Sequence, residues 1–187
     1  MATVKEIMDS QESRMQKTLE NVKREFGSLR AGRATPSLLD KVMVEYYGTP
    51  TPVNQVAKVS IPEPRMIVIT PWEKSILHEI EVAIMKSDLG LSPNSDGTAI
   101  RLSIPQPTQE RRKELVKTVN KKAEEAKVAL RNVRRDGNEA IKKLEKAKEI
   151  TEDESKKGQE SMQKLVDKYI KQVDTARDAK EKEVMEV

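Results

Sequence analysis

The sequence predicts an α+β protein of two domains, in which a small β/α/β domain is inserted into an elongated antiparallel bundle of three helices. Three observations support this fold class. All 9 prolines lie between Pro36 and Pro107, so both flanks lack the residue that breaks helix interiors. Apolar residues in both flanks recur at helical spacing. Charged residues make up 35% of the 187 residues and aromatic residues only 3%, which favours long helices with solvated faces.

The first flank, residues 1–30, is predicted to form one helix. Its apolar residues follow an a/d seam with a seven-residue repeat, and Glu12 is the one polar interruption. The residues of this seam are Met8, Met15, Leu19, Val22, Phe26 and Leu29. Such a stripe needs an apolar partner surface, which the second flank can supply.

The second flank, residues 106–187, is predicted to form the other two helices. The first keeps one heptad register from Val116 to Ala147, and at 1.5 Å per residue it would be roughly 60 Å long. The second begins at Thr151, which forms a Thr-x-x-Glu capping box with Glu154. Three amphipathic helices bury their stripes only against one another, so residues 1–30 and 106–187 should form a rod-shaped, monomeric bundle.

The insert, residues 31–105, has a different pattern. Runs of β-branched and aromatic residues at 42–47 and 66–69, and an alternating run at 100–104, predict strands bounded by Gly and Pro. Between them, apolar residues from Ile76 to Ile84 predict one short amphipathic helix that ends near Gly90. The insert is therefore predicted to be a separate α+β domain.

The two crossings between the domains are predicted to form a hinge of limited range. Gly32 allows backbone freedom in the first crossing, just before Ala34. Pro105 and Pro107 stiffen the second crossing, because each ring fixes its own φ angle.

Several classes of function are disfavoured by what the chain lacks. It has no cysteine and 1 histidine, which leaves little for metal sites, cofactors or nucleophilic catalysis, and no phosphate-binding glycine loop or hydrolase motif occurs. No apolar run approaches the length needed to span a bilayer, and the first residues carry no signal sequence. We therefore expect a soluble cytoplasmic protein that is not an enzyme.

A cluster of basic residues in the longest predicted helix is the strongest chemical feature. Arg131, Arg134 and Arg135 are spaced i, i+3, i+4, with Lys127 one turn earlier, in a segment where basic residues outnumber acidic ones. Arginine favours phosphate, because its planar fork binds phosphate oxygens in pairs. The alternative is a solvated face neutralised by Asp136 and Glu139. Other basic residues would extend the patch: Arg111, Arg112, Arg30 and Arg33.

Five blocks of sequence, in order along the whole chain, closely resemble the bacterial ribosome recycling factor family. They are residues 29–40 (LRAGRATPSLLD), 44–52 (VEYYGTPTP), 87–91 (SDLGL), 110–113 (ERRK) and 128–136 (VALRNVRRD). The resemblance implies an L-shaped protein of about transfer-RNA size, whose helical domain lies across the transfer-RNA sites of the large ribosomal subunit and contacts its RNA.

The resemblance also implies a role and the residues that carry it. Members of the family work after peptide release with elongation factor G, whose GTP hydrolysis splits the ribosome into subunits and frees messenger and deacylated transfer RNA. By position, the arginine most closely tied to this function is Arg134, with Arg131 beside it. Arg30, Gly32 and Arg33 match the block at the hinge, and Arg112 matches a basic position at the start of the second helix.

Two other readings remain open on the residues alone. A coiled-coil scaffold or RNA-binding adaptor would use the heptads to dimerise, whereas a self-contained bundle would be monomeric. A hydrolase would need a paired set of catalytic carboxylates, and the sequence offers no such constellation.

Overall fold

The computed structural model of the protein describes residues 2–29 and 32–186. The chain divides into two units, a helical unit of Met1–Ala31 with Gln109–Val187, and an inserted unit of Gly32–Thr108. The domain limits expected from the sequence lie after residues 30 and 105, one and three residues before these divisions. The predicted α+β class is confirmed, since the described residues form helices and two small sheets.

The described residues contain five α-helices and six strands. The helices are α1 (Val4–Ser28), α2 (Val53–Val56), α3 (Leu77–Lys86), α4 (Gln109–Lys146) and α5 (Glu152–Met185). The strands are β1 (Met43–Tyr46), β2 (Thr49–Pro52), β3 (Ala57–Glu63), β4 (Met66–Pro71), β5 (Pro93–Ser95) and β6 (Ile100–Ser103). The chain also forms short 3₁₀ turns at Pro36–Leu39 and Lys74–Ile76.

The helical unit is a three-helix bundle in which α1, α4 and α5 share one apolar core. The seam residues Met15, Leu19, Val22 and Phe26 of α1 are buried as predicted. A buried polar side chain inside the bundle needs a hydrogen-bond partner, and Gln11 has one. The buried Gln11 donates from Nε2 to the carbonyl oxygen of Val133 at 2.6 Å.

The heptad register predicted for α4 is kept from Val119 to Gly137 and again at Leu144, but not at positions 116, 140 and 147. Towards the first end Leu115 is buried and Val116 half-buried, and towards the other end Ile141 is buried and Ala140 half-buried. Ala147 is exposed and lies beyond the helix end. A straight helix drifts by about 20° per heptad, so its buried stripe moves off a strict seven-residue repeat.

Threonine side chains cap the starts of α1 and α5. Glu154 donates its backbone N–H to Thr151 Oγ1 at 3.1 Å, which is the hydroxyl half of the capping box predicted there. A complete capping box opens α1, where Thr3 and Glu6 each bond the other's backbone N–H. The sequence analysis did not identify this second box.

The inserted unit contains a four-stranded antiparallel sheet in the order β3-β4-β6-β5 and a two-stranded ribbon of β1 and β2. The predicted strands correspond to β1, β4 and β6, whereas β2, β3 and β5 were missed. Each missed strand contains proline, and each is an edge strand or part of the isolated ribbon. Proline is tolerated there because the missing N–H faces away from the ladder. Pro62 in β3 falls where the register shifts between Ser60 and Glu63.

Candidate nucleic-acid interface

Arg131 and Arg135 lie exposed on α4. Within the described residues neither side chain makes an ion pair or hydrogen bond. Asp136, which could have neutralised them, instead pairs with Arg14 of α1 at 3.1 Å. The helix therefore presents two uncompensated guanidinium groups to solvent, as an anion-binding surface requires.

Arg134 lies half-buried beside the exposed arginines and contacts α5. Its Nη1 donates to Gln163 Oε1 at 2.9 Å, so its partner is a neutral amide. Its Nε is buried and has no hydrogen-bond partner among the residues that the structure describes. No acid in the described part of the chain pairs with Arg134, while its hydrogen bond to Gln163 holds one end of the side chain in place.

Lys127 differs from the three arginines, because it is buried between helices. Its ammonium group forms ion pairs with Asp174 of α5 and with Glu124 one turn earlier. The hydrogen bond to Asp174 is the main cause that raises the pKa of Lys127, and burial opposes it. Arg177 approaches the same oxygen of Asp174 at 3.3 Å. The partners of Lys127 are therefore inside the bundle.

The other predicted basic residues are not brought into one patch with Arg131. Arg112 is buried, and its Nη1 lies 3.5 Å from the carbonyl oxygen of Met185 at the end of α5. It precedes Arg131 by 19 residues, or about 28 Å along α4. Arg33 is exposed in the inserted unit, and Arg30 lies outside the described residues.

A row of lysines on α4 extends the basic face and was missed by the sequence analysis. Lys113, Lys117 and Lys121 are exposed and make no ion pair within the part of the chain that the structure describes. Because 18 residues equal five helical turns, Lys113 aligns with Arg131 and Lys117 with Arg135. The face from Lys113 to Arg135 is about 33 Å long. Their four-residue spacing in the sequence already indicated that these lysines share one face of the helix.

The crossing residues lie between backbone segments that are each held within one unit. The carbonyl oxygen of Leu29 accepts from Lys180 Nζ at 3.0 Å in the helical unit. In the inserted unit, Ala34 N donates to the carbonyl oxygen of Pro64 at 2.7 Å, and Ile104 N donates to that of Arg65 at 2.8 Å. Of the predicted hinge residues, Ala34 is therefore anchored in the inserted unit.

Gly32 lies close to the second crossing segment, within the inserted unit. Its φ is +79°, a backbone conformation that is strained for residues other than glycine. A Cβ added to Gly32 would lie 2.6 Å from Cδ of Pro107. Pro105 is near as well, with its carbonyl oxygen 3.8 Å from that position. Glycine is thus required at this point by both conformation and space.

Two further observations concern other kinds of site. Among the described residues, acidic and histidine side chains form no group of three or more that could hold a metal ion. No described helix combines the length and the apolar character that crossing a membrane would need.

Comparison with known proteins identifies the family. A family model for ribosome recycling factor matches residues 22–185. The ribosome-recycling factor of Desulforamulus reducens is 60% identical over 184 residues, which cover 98% of this chain and 100% of that protein. The ribosome-recycling factor of Clostridioides difficile is 57% identical over 182 residues, which cover 97% of this chain and 98% of that protein.

Solved structures agree with the sequence relatives. A solution structure of ribosome recycling factor has a TM-score of 0.76 and 41% identity over 100% of both chains. A second structure matches with a TM-score of 0.64 and 43% identity over 99% of this chain and 100% of its own. It belongs to models of the T. thermophilus ribosome recycling factor and the E. coli elongation factor G bound to the E. coli post-termination complex. With relatives this similar over nearly its full length, the chain belongs to the ribosome recycling factor family.

Proposed function

We propose that this protein is a translation factor, without enzymatic activity of its own, that recycles ribosomes. It binds the post-termination ribosome and, together with elongation factor G and GTP hydrolysis by that partner, splits it into subunits. Messenger and deacylated transfer RNA are then released for another round of synthesis. Family membership supports this role, and the structural observation that carries it is the exposed basic face of α4, where Arg131, Arg134 and Arg135 have no acidic partner among the described residues. Since ribosomes work in the cytoplasm, we place the protein there.

The basic face of α4 is proposed to bind phosphates of large-subunit ribosomal RNA at the transfer-RNA sites. Arg131, Arg134 and Arg135 form its centre, and the three exposed lysines earlier on α4 extend it. Arginine forks suit bidentate phosphate contacts, and recognition through backbone and shape fits a chain with few aromatic residues for base stacking. Lys127 is proposed to support this face from inside the bundle, because its ammonium group is already paired.

Arg112, Arg30 and Arg33 are proposed as further RNA contacts at a distance from this centre. Arg112 has a long hydrogen bond of 3.5 Å to the carbonyl oxygen of Met185, and its burial limits how far it can reach. Arg33 is exposed on the inserted unit. These three residues therefore rank below the central arginines as targets for mutation.

The crossing segments are proposed to act as the hinge about which the inserted unit moves during splitting. The carbonyl oxygen of Leu29 is bonded within the helical unit and the backbone N–H of Ala34 within the inserted unit, so the first crossing lies between these two residues. The second crossing, residues 105–108, lies between the anchored Ile104 and the start of α4. Segments this short, with Pro105 and Pro107 in one of them, favour bending over free rotation.

The test is a splitting assay. Purified post-termination ribosomes are mixed with this protein, elongation factor G and GTP, and light scattering follows dissociation into subunits. We expect scattering to fall only when both proteins and GTP are present. A stable signal in the complete mixture, with an elongation factor shown to be active with its own recycling factor, would contradict the proposed function.

A further inference from the structure

We propose that Gln163 of α5 is a positioning residue that holds the guanidinium group of Arg134 for contact with an RNA phosphate. This inference rests on the function proposed above. The two side chains meet across the α4/α5 interface, where Nη1 of Arg134 donates to Oε1 of Gln163 at 2.9 Å. An arginine side chain has many rotamers, and a partner on a second helix reduces the number that it samples.

The orientation of the Gln163 amide is itself fixed by Asp167. Gln163 Nε2 donates to Asp167 Oδ1 at 2.8 Å, one turn further along α5. A guanidinium group only donates hydrogen bonds and an ionised carboxylate only accepts them. Only one orientation of the amide satisfies both neighbours at once, with its oxygen towards Arg134 and its nitrogen towards Asp167.

A neutral partner positions Arg134 without cancelling its charge. A carboxylate at residue 163 would form an ion pair and compete with a phosphate for the same donors. The acid nearest to Arg134 in this series of hydrogen bonds is Asp167, which bonds Gln163 and not Arg134 itself. Because Nε of Arg134 is buried, the donors left for a ligand are those of the two terminal nitrogens.

The test measures ribosome binding and its salt dependence for Gln163→Glu. The new carboxylate should weaken binding about fivefold, the size of an exposed ion pair, and lower the magnitude of the salt slope by about 1. Gln163→Ala, which removes the contact but adds no charge, should weaken binding about twofold. Gln172→Glu is the matched control, because nine residues place it on the opposite face of α5, and it should change binding less than twofold.

A double-mutant cycle separates positioning from a structural effect. In an Arg134→Ala background, Gln163→Glu should have no further effect on binding, because it acts through the missing guanidinium group. The same fivefold loss in both backgrounds, or a loss equal to that of Gln172→Glu, would overturn the inference. Thermal unfolding of each variant shows whether it is folded. If Gln163→Glu is misfolded, Gln163→Ala replaces it in the double-mutant cycle. Absence of salt-dependent binding by the unmodified protein would instead overturn the proposed function.

Discussion

At the scale of single residues, the basic side chains of α4 are distinguished by their partners. Arg131 and Arg135 have none within the described residues, Arg134 has a neutral amide, and Lys127 has two carboxylates. All four are close in sequence, and their spacing alone predicted one continuous stripe. The contacts instead divide them into a surface that can bind phosphate and a buried ion pair that joins α4 to α5.

We predict that Arg131→Ala combined with Arg135→Ala weakens ribosome binding without destabilising the fold. Each lost phosphate contact should lower the magnitude of the salt slope by about 1, because fewer counterions are released on binding. The free energy of unfolding should change by less than about 0.5 kcal/mol, as is usual for exposed sites. Filter binding over a salt series measures the first effect and urea denaturation the second.

The control for this pair is Arg24→Ala, which removes an exposed arginine from α1. It should alter the salt slope much less, because Arg24 is outside the basic face. If the control and the pair lowered the slope equally per arginine removed, binding would depend on the net charge of the protein and not on this face.

The opposite result is predicted for Lys127→Ala. The side chain of Lys127 is 10% exposed, and that of its partner Asp174 is 35% exposed. Without Lys127, Asp174 still has its ion pair with Arg177. The free energy of unfolding should therefore fall by about 1–2 kcal/mol. The pKa of Lys127 is raised in the folded protein, so its stabilising effect is complete below the ordinary lysine pKa and is lost as the pH rises through the raised value. Urea denaturation at neutral pH and at strongly alkaline pH should show the difference shrinking. An unchanged stability at neutral pH would contradict this account.

At the scale of elements, the sequence predicted the long helices from their apolar periodicity and three strands, β1, β4 and β6, from runs rich in β-branched residues or from alternation. The same reasoning missed β2, β3 and β5, whose prolines argue against strands until the sheet order places them at edges. It extended the heptads of α4 too far, because the drift of a straight helix depends on packing that no short window contains. In the candidate site, the arginines were found from their spacing, but the pairing of Lys127 with Asp174 joins residues 47 positions apart.

A buried glycine of α4 shows how closely the three helices pack, and we predict that Gly137→Ala is destabilising. An added Cβ would lie 2.5 Å from Cε of Met162, which can move, and 3.0 Å from Cγ of Gln11, which is fixed by its bond to the carbonyl oxygen of Val133. Overpacking should exceed the gain in helix propensity, for a net loss of about 1 kcal/mol. Urea denaturation gives the value.

The matched control for this substitution is Gly27→Ala near the end of α1. Nothing lies within 4 Å of the added Cβ there, so the same change should raise the free energy of unfolding by about 0.5 kcal/mol. If both variants were stabilised alike, the contact of α1 with α4 at Gly137 would not limit the packing of the bundle.

At the scale of the whole molecule, we predict a monomer in solution. The apolar stripes of α1, α4 and α5 are buried against one another, so the described helices leave no long seam for a second copy. Sedimentation equilibrium should therefore give a mass near 21.2 kDa at all concentrations tested. A dimer would favour the scaffold interpretation, in which the heptads join two chains.

The last prediction concerns the proposed hinge and separates binding from splitting. Pro105→Ala combined with Pro107→Ala removes two rings that stiffen the second crossing, and should slow subunit splitting several-fold while ribosome affinity stays within about twofold. A looser joint transmits less of the motion driven by elongation factor G, whereas the basic face of α4 is untouched. Pro50→Ala combined with Pro52→Ala has the same spacing but lies in β2, and should leave splitting unchanged. If both double variants slowed splitting equally, the cause would be a less stable inserted unit. If the Pro105 and Pro107 variant did not slow splitting, the stiffness of this crossing would not limit the reaction.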